Sequence, residues 1–332
     1  MIDGAPQKDT ADYARRLPIS GHWFFFGPQG LRAGWSLLIF AALCTVLIIV
    51  GGFLVGPFLH LQFGVPIAPP AGLLLELSQL VPVVIATWIM AVLERRPVMF
   101  YGFQGSARVL RFVSGIVWGF VAISAVVLVL HSRGYLSLDG RTMGGVIALK
   151  YAASWGIVFF CVGLCEEAMI RGYAQFTMTR GIGFWWGAIL LAGLFAVMHG
   201  SNGGESPMGL AGVAAISVVF CLSLWYTGSL WWAVGFHAAW DWGQSYFYGT
   251  ADSGLVAQGH LFGEHAVGPA LWSGGATGPE GSVIVLPLLL VIVLAMGLWW
   301  GRRVRSPFAG RGWRPGPLPG STATAGAIQA RN

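Results

Sequence analysis

The chain alternates long apolar runs with short polar connections over most of its length. Because about 20 apolar residues are needed to cross a hydrocarbon core of about 30 Å, runs of this length predict membrane-spanning helices. Eight runs occur, at about residues 31–55, 72–93, 112–130, 146–170, 184–198, 210–226, 230–248 and 283–300. The fifth and sixth runs are short for a span. The pattern predicts an all-α, polytopic membrane protein with about eight transmembrane helices.

The amino-acid composition supports this fold class and argues against a soluble protein. Hydrophobic residues make up 56% of the 332 residues and charged residues only 10%, whereas a soluble globular domain carries about 25% charged residues. The net charge of +6 does not indicate nucleic-acid binding, because the basic residues lie in short loops beside apolar runs. The expected surroundings are therefore a lipid bilayer, and no nucleic-acid partner is expected.

The same pattern divides the chain into three parts. Residues 1–30 form a polar N-terminal tail that ends in an aromatic, interfacial segment, and residues 31–301 form the transmembrane domain. Residues 302–332 are rich in Arg, Gly and Pro and are predicted to be a disordered C-terminal tail. The transmembrane domain shows no internal repeat, which lowers the expectation of a secondary transporter.

The distribution of basic residues predicts the orientation of the chain. An even number of spans places both termini on one side of the membrane. All but three of the 19 Lys and Arg residues then lie on that side, the exceptions being Arg133, Arg141 and Lys150. Basic residues collect in cytoplasmic loops. We therefore expect a multi-pass protein of the cell membrane with both termini in the cytoplasm and loop 249–282 outside.

Three charged residues stand near the end of the fourth apolar run, at Glu166, Glu167 and Arg171. A charge in a membrane helix costs about 2.5–3.5 kcal/mol on insertion scales, so it needs a partner or a function. Glu167 and Arg171 are four residues apart on one helix face and neutralise each other as a self-sufficient pair. Glu166 lies about 100° around the helix and has no local partner. Glu166 is therefore the leading functional candidate.

Two further apolar runs contribute polar side chains. His199 ends the fifth run, and His237 and Asp241 lie four residues apart in the seventh, hence on one helix face. The alternative interpretation is that these groups only satisfy one another between helices. Because Glu167 and Arg171 are already paired, one free carboxylate, two imidazoles and a second carboxylate favour a functional cluster over structural pairing.

At this point the sequence resembles a known family. The resemblance rests on three motifs in the order Glu166-Glu167-x-x-x-Arg171, Phe195-x-x-x-His199 and His237-x-x-x-Asp241. They lie on separate membrane helices over residues 166–241 and resemble the CPBP family, which comprises type II CAAX prenyl proteases and their bacteriocin-processing, abortive-infection-like relatives. The resemblance implies a hydrolase with an active site in an intramembrane cavity, an endopeptidase that cleaves membrane-associated protein or peptide substrates with water.

The resemblance also implies roles for the individual residues. Glu166 is the general base, His199 orients the water, and His237 and the last motif residue stabilise the oxyanion. Glu167 and Arg171 are structural support. The chain departs from the commoner family pattern by carrying Asp241 where many relatives have Asn, and an aspartate donates a hydrogen bond only when protonated.

Asp241 leaves three interpretations open. It is held neutral and donates to the oxyanion, or it orients His237, or it ligates a metal. In the last case Glu166, His199, His237 and Asp241 form a candidate zinc set. The His-Glu-x-x-His signature of zinc proteases is absent, so a metal-free glutamate mechanism without a cofactor is favoured. A catalytically silent immunity or partner protein and a proton-coupled transporter remain the alternative functions.

Three expectations concern placement. Glu166 falls near the inner end of the fourth span and His199 near the outer end of the fifth, so the two are offset in depth unless the connection between them enters the membrane. Residues 171–182 are interpreted as an amphipathic turn or short interfacial helix. Glu76 in the second span is interpreted as a wet helix-end residue in preference to a functional one.

Overall fold

The computed structural model describes residues 22–27, 30–59, 65–105 and 107–310. Eight of its helices follow the predicted apolar runs. They are α1 (Ala33–Val55), α2 (Pro69–Leu93), α3 (Arg108–Ser132), α4 (Gly145–Ile182), α5 (Phe184–His199), α6 (Pro207–Thr227), α7 (Trp231–Trp242) and α8 (Val285–Trp299). Five of these, α1 to α4 and α6, are long and apolar enough to cross a membrane, and α5 and α8 are shorter apolar helices. The all-α polytopic fold is confirmed, and the count of eight spans stays a prediction.

The remaining elements are short. The helical ones are single turns at His22–Phe25 and Ala270–Ser273, 3-10 turns at Gly56–Phe58, Val98–Phe100, Gly275–Thr277 and Pro279–Gly281, and a π-helical turn at Gly243–Tyr248 that continues α7. Strands β1 (Phe26–Gly27) and β2 (Gly30–Leu31) pair antiparallel, as do β3 (Leu136–Arg141) and β4 (Phe262–Ala266). The second pair joins the connection after α3 to loop 249–282 and was not predicted, because neither segment has a clear alternating pattern.

One predicted element length is wrong. The sixth run, expected to be short, is a helix of 21 residues. α4 is bent: after Gly145–Glu166 comes a π-helical turn, Glu167–Ala174, with non-helical backbone at Gly172, where φ is −79° and ψ −112°. A short helix, Gln175–Ile182, follows the bend, and its interfacial position stays a prediction. The charged residues therefore lie at the bend between two helical segments.

The expected offset in depth is not found. Gly183, with φ of +91°, reverses the chain between α4 and α5. The connection from Glu166 to this reversal is helical with a bend at Gly172, and Oε2 of Glu166 comes within 4.0 Å of Nε2 of His199. The two residues therefore lie at the same level.

Glycines bring the helices that carry the site into close contact. Gly115 and Gly119 of α3 face α7 so closely that an added Cβ would overlap the carbonyl oxygens of Trp232 and Phe236. On α4, a Cβ at Gly163 would lie 3.1 Å from the carbonyl oxygen of Val234. Such small residues allow membrane helices to approach backbone to backbone. They place α7 between α3 and the charged segment of α4.

The ends of the described chain bear on the predicted tails. Phe308 is only 5% exposed and packs against Phe176, Phe184 and Trp225, with ring centroids 5.5, 4.8 and 6.4 Å apart. The first residues of the predicted C-terminal tail thus pack on the helices. Residues 1–21 and 311–332 lie outside the described residues, so the polar N-terminal tail and the disordered C-terminal tail stay predictions there.

Candidate active site

The structure brings the four predicted polar residues together. The Oε2 atom of Glu166 lies 3.5 Å from Nε2 of His237 and 4.0 Å from Nε2 of His199. Nε2 of His237 also lies 3.7 Å from Oδ2 of Asp241. The side chain of Glu166 keeps 24% of its surface exposed, more than its three neighbours do. Residues from α4, α5 and α7 therefore form one cluster with Glu166 at its centre.

Both imidazole rings are held by their Nδ1 atoms. Nδ1 of His199 is 2.9 Å from the carbonyl oxygen of Phe195, and Nδ1 of His237 is 3.2 Å from Oε1 of Glu167. A carbonyl or carboxylate oxygen only accepts, so each Nδ1 carries the proton and donates. Nε2 of each ring is thereby turned toward Glu166. This orientation assigns the two rings as partners of one reacting centre.

Glu167 and Arg171 form the predicted ion pair, with Nη1 and Oε1 3.0 Å apart and both side chains 0% exposed. The prediction that this pair is self-sufficient is wrong, because the same Oε1 atom also accepts from His237. The guanidinium of Arg171 lies 4.2 Å from the ring centroid of Phe195, the residue whose carbonyl holds His199. The buried pair therefore supports both imidazoles, a link the sequence spacing does not show.

The carboxylate of Glu166 is left without a hydrogen bond. Its Oε2 atom is buried and has no hydrogen-bond partner within the described part of the chain. A buried polar atom without a partner is costly, and a chemical task is one explanation for it. Glu166 is thus free to bind and deprotonate a water molecule.

A cavity of about 660 Å³ opens in front of this cluster. It is enclosed by α2, α4, α5, α6, α7 and loop 249–282, and its walls are mainly apolar and aromatic. The aromatic lining residues are Trp155, Phe159, Phe195, Phe220 and Trp240. Its volume falls within the range of small-molecule and peptide side-chain sites. The predicted cavity within the helical domain is present, and the cluster of Glu166 forms part of its wall.

Loop 249–282 closes one side of the cavity through two carboxylates that the sequence analysis missed. Asp252 accepts from Nε2 of Gln244 at 2.8 Å and from Oγ of Ser245 at 3.0 Å. Burial raises the pKa of the Asp252 carboxyl, and the neighbouring Glu280 carboxylate raises it further, because both disfavour the charged form. Asp252 thus attaches the loop to the end of α7.

Glu280 makes the second attachment. Its Oε1 atom accepts from the backbone N–H and the hydroxyl of Ser253, at 2.6 and 2.7 Å, and its Oε2 atom accepts from Nε1 of Trp240 at 3.3 Å. These bonds connect three segments that are far apart in sequence. No local pattern in a Gly-rich loop indicates such partners, which is why the sequence did not reveal them.

Glu76 and Gln79 of α2 also line the cavity. Glu76 lies seven residues after the start of α2, toward the helix end as predicted, and it faces the same space as Glu166. Its interpretation as a wet helix-end residue stays a prediction. The carboxylate of Glu76 within an apolar run was visible in the sequence. The direction in which its side chain points was not.

The candidate zinc ligands do not form a recognisable metal site. The described residues contain no group of three or more His, Cys, Asp or Glu side chains placed to hold a metal ion. Glu166 and Asp241 instead contact the Nε2 atom of His237 at 3.5 and 3.7 Å. The mechanism is therefore derived from the side chains themselves, and metal dependence is left to experiment.

Comparison with known proteins gives one family. Residues 148–243 match the family model of the Rce1-like, type II CAAX prenyl endopeptidases. A search of curated proteins gives no match. The matched segment runs from α4 to the start of the π-helical turn after α7, and it contains all three motifs. Residues 148–243 are thus similar to the Rce1-like, type II CAAX prenyl endopeptidases, and the predicted resemblance to the CPBP family is confirmed.

Proposed function

We propose that this protein is an intramembrane endopeptidase that hydrolyses peptide bonds of membrane-associated substrates with water activated by Glu166. The observation that carries the proposal is the unbonded carboxylate of Glu166, which faces the Nε2 atoms of two oriented histidines in a largely apolar cavity. A water molecule placed there is shielded from bulk solvent and has both an acceptor for its proton and a second polar contact.

In the first step Glu166 takes a proton from the water, while Nε2 of His199 accepts the other water hydrogen and holds the nucleophile in place. The resulting hydroxide attacks the carbonyl carbon of the peptide bond. Nδ1 of His199 stays bonded to the carbonyl of Phe195, so the ring cannot turn away. Positioning of this kind, with a general base, contributes about 10²–10⁴-fold to a reaction rate.

In the second step the oxyanion of the tetrahedral intermediate accepts hydrogen bonds from the doubly protonated His237 and from a protonated Asp241. Glu167 accepts from Nδ1 of His237 and so stabilises the imidazolium while its Nε2–H faces the cavity. Glu166 then returns its proton to the leaving amine. The carboxylate is regenerated and no net proton is consumed by the protein.

The test compares peptide products by mass spectrometry for the wild type, Glu166→Gln and Glu264→Gln expressed side by side. Glu264 lies on β4, outside the cavity lining, and serves as a matched control. Cleavage products are expected with the wild type and with Glu264→Gln and are expected to be missing with Glu166→Gln. The same peptide set from all three proteins would contradict the proposal and favour a catalytically silent membrane partner.

The orientation with both termini in the cytoplasm belongs to the same proposal. Gln104 and Gln258 are both exposed and lie in connections on opposite sides of the predicted topology. After replacement of the four buried cysteines, a membrane-impermeant thiol reagent applied outside is expected to modify Gln258→Cys and to spare Gln104→Cys. The reverse labelling pattern would invert the orientation.

A further inference from the structure

The wall of the cavity opposite the catalytic histidines is formed by α2. Gly72 of α2 packs directly against Trp155 and Val158 of α4. Glu76 and Gln79 follow Gly72 by four and seven residues and therefore share its helix face. Both line the cavity together with Glu166. The polar side chains of α2 are thus presented to whatever occupies the space in front of the general base.

Glu76 has no bonded partner among the residues that the structure describes. Its carboxylate takes part in none of the side-chain hydrogen bonds or ion pairs that hold the other cavity acids, such as Asp252 and Glu280. It neither attaches a loop nor neutralises a cation of this chain. An ionisable side chain within a membrane segment that serves no structural bond is expected to serve a ligand.

The charge of the lining indicates the sign of that ligand. Five carboxylates, those of Glu76, Glu166, Asp241, Asp252 and Glu280, line the cavity, and its described lining includes neither Lys nor Arg. Asp241 is only 5% exposed, and His237 Nε2, at 3.7 Å, is too distant for a hydrogen bond. A cation placed beside Glu76 would find an acceptor that no group of the described residues neutralises.

We propose that Glu76 is a substrate-binding residue that pairs with the side chain of a lysine or arginine close to the scissile bond, with Gln79 providing a neighbouring hydrogen-bonding group. The inference rests on the proposed endopeptidase function and narrows its substrate class. The cavity then selects peptide segments with a basic side chain near the scissile bond. Because Glu76 takes the cation, Glu166 stays unpaired and able to act as the base.

The experiment measures binding without turnover. Purified Glu166→Gln protein in detergent is titrated with two apolar peptides, both acetylated at the N-terminus and amidated at the C-terminus. They differ only in a central lysine or Nε-acetyl-lysine, so the charge changes while the chain length is nearly kept. The lysine peptide is expected to bind about tenfold more tightly. Adding Glu76→Gln is expected to reduce this preference to less than about twofold, and adding the control Glu264→Gln is expected to leave it intact.

Equal binding of the two peptides would overturn the inference, as would a preference that survives Glu76→Gln. Wild-type turnover separates this inference from the endopeptidase proposal. Cleavage of both peptides at equal rates contradicts the role of Glu76 and supports the protease function. A lysine preference in binding that depends on Glu76, together with no cleavage by the wild type, supports the binding site and contradicts the protease function.

Discussion

Glu94 and Glu166 both lie among packed helices, but they differ in the hydrogen bonds that their carboxylates accept. Glu94, at the end of α2, accepts from the hydroxyls of Tyr101 and Tyr173 at 3.0 and 2.8 Å and from Nη2 of Arg180 at 3.1 Å. Glu166 has no hydrogen bond to its buried Oε2 atom within the described residues. The saturated carboxylate joins helices, and the unsaturated one is available for chemistry. Hydrogen bonding therefore distinguishes Glu94 from Glu166.

The two carboxylates are also connected through α4. Tyr173 and Arg180 follow the bend at Gly172, and Glu94 binds both of them. The half of α4 beyond the bend is thereby attached to α2, while the half before it carries Glu166. Glu94 thus holds in place the helix that positions Glu166.

The largest expected effect in this comparison follows from Glu166→Gln. The amide is nearly isosteric with the carboxylate but cannot accept the proton of the water, so turnover should fall by about 10²–10⁴-fold. Because no hydrogen bond to Oε2 is lost, the thermal unfolding temperature should stay close to that of the wild type. The two quantities are measured on the same purified protein in detergent. Turnover equal to that of the wild type would exclude the general-base role.

Glu167→Gln should affect stability more than any other change in the cluster. It leaves the fully buried guanidinium of Arg171 without its counter-charge, which costs about 3–5 kcal/mol in comparable buried pairs. Folded yield and thermal unfolding measure the loss. The matched control is the double variant Glu167→Gln with Arg171→Met, which removes both charges and should recover most of the lost stability. A single variant as stable as the wild type would show that the ion pair is dispensable.

Glu94→Gln should lower stability and largely keep turnover, which is the opposite of the result expected for Glu166→Gln. The size of the effect should be smaller. It weakens hydrogen bonds to a charged group, each worth about 1.5–3 kcal/mol, so the unfolding temperature should fall. Turnover per folded molecule should change by less than about tenfold, since no reacting atom is touched. Glu264→Gln on the exposed ribbon of β3 and β4 is the control. If Glu94→Gln abolished turnover while leaving stability unchanged, the contrast between the two glutamates would be wrong.

Asp241→Asn should have the smallest effect. An amide offers the same reach as a protonated carboxyl and one N–H donor to the oxyanion, so at least about a tenth of the wild-type turnover should remain. A chelator should leave the wild-type rate unchanged. A nearly inactive Asn variant, chelator inhibition and stoichiometric zinc would instead identify Glu166, His199, His237 and Asp241 as metal ligands.

The sequence predicts the helices and the reacting groups better than the contacts that hold them. Apolar runs and three short motifs were sufficient to indicate eight helices and to select Glu166, His199, His237 and Asp241. The polar side chains of residues 171–182 were interpreted as those of a short interfacial helix. In the fold Arg180 bonds Glu94, 86 residues away, and the amide nitrogen of Gln175 donates to the carbonyl of Phe184. Such partners become visible only once the helices are packed.

The contacts of loop 249–282 with the cavity and the double role of Glu167 were missed for the same reason. Glu280 bonds Trp240, 40 residues away, and Glu167 bonds His237, 70 residues away. Neither pair has a spacing that a helix or strand would repeat. Helical periodicity reports contacts three or four residues apart, so the pairing of Glu167 with Arg171 was predicted and the contact with His237 was not.

The glycine contacts between α3 and α7 determine which parts of the protein are able to move. With no room for a methyl group at Gly115 or Gly119, α7 has no freedom to slide or rotate against α3. In the proposed mechanism, the opening that admits a polypeptide is therefore expected at α2, α5 or loop 249–282, which also line the cavity. His237 and Asp241 would keep their positions on α7 during this opening, and the proposed oxyanion site would be complete before the substrate binds.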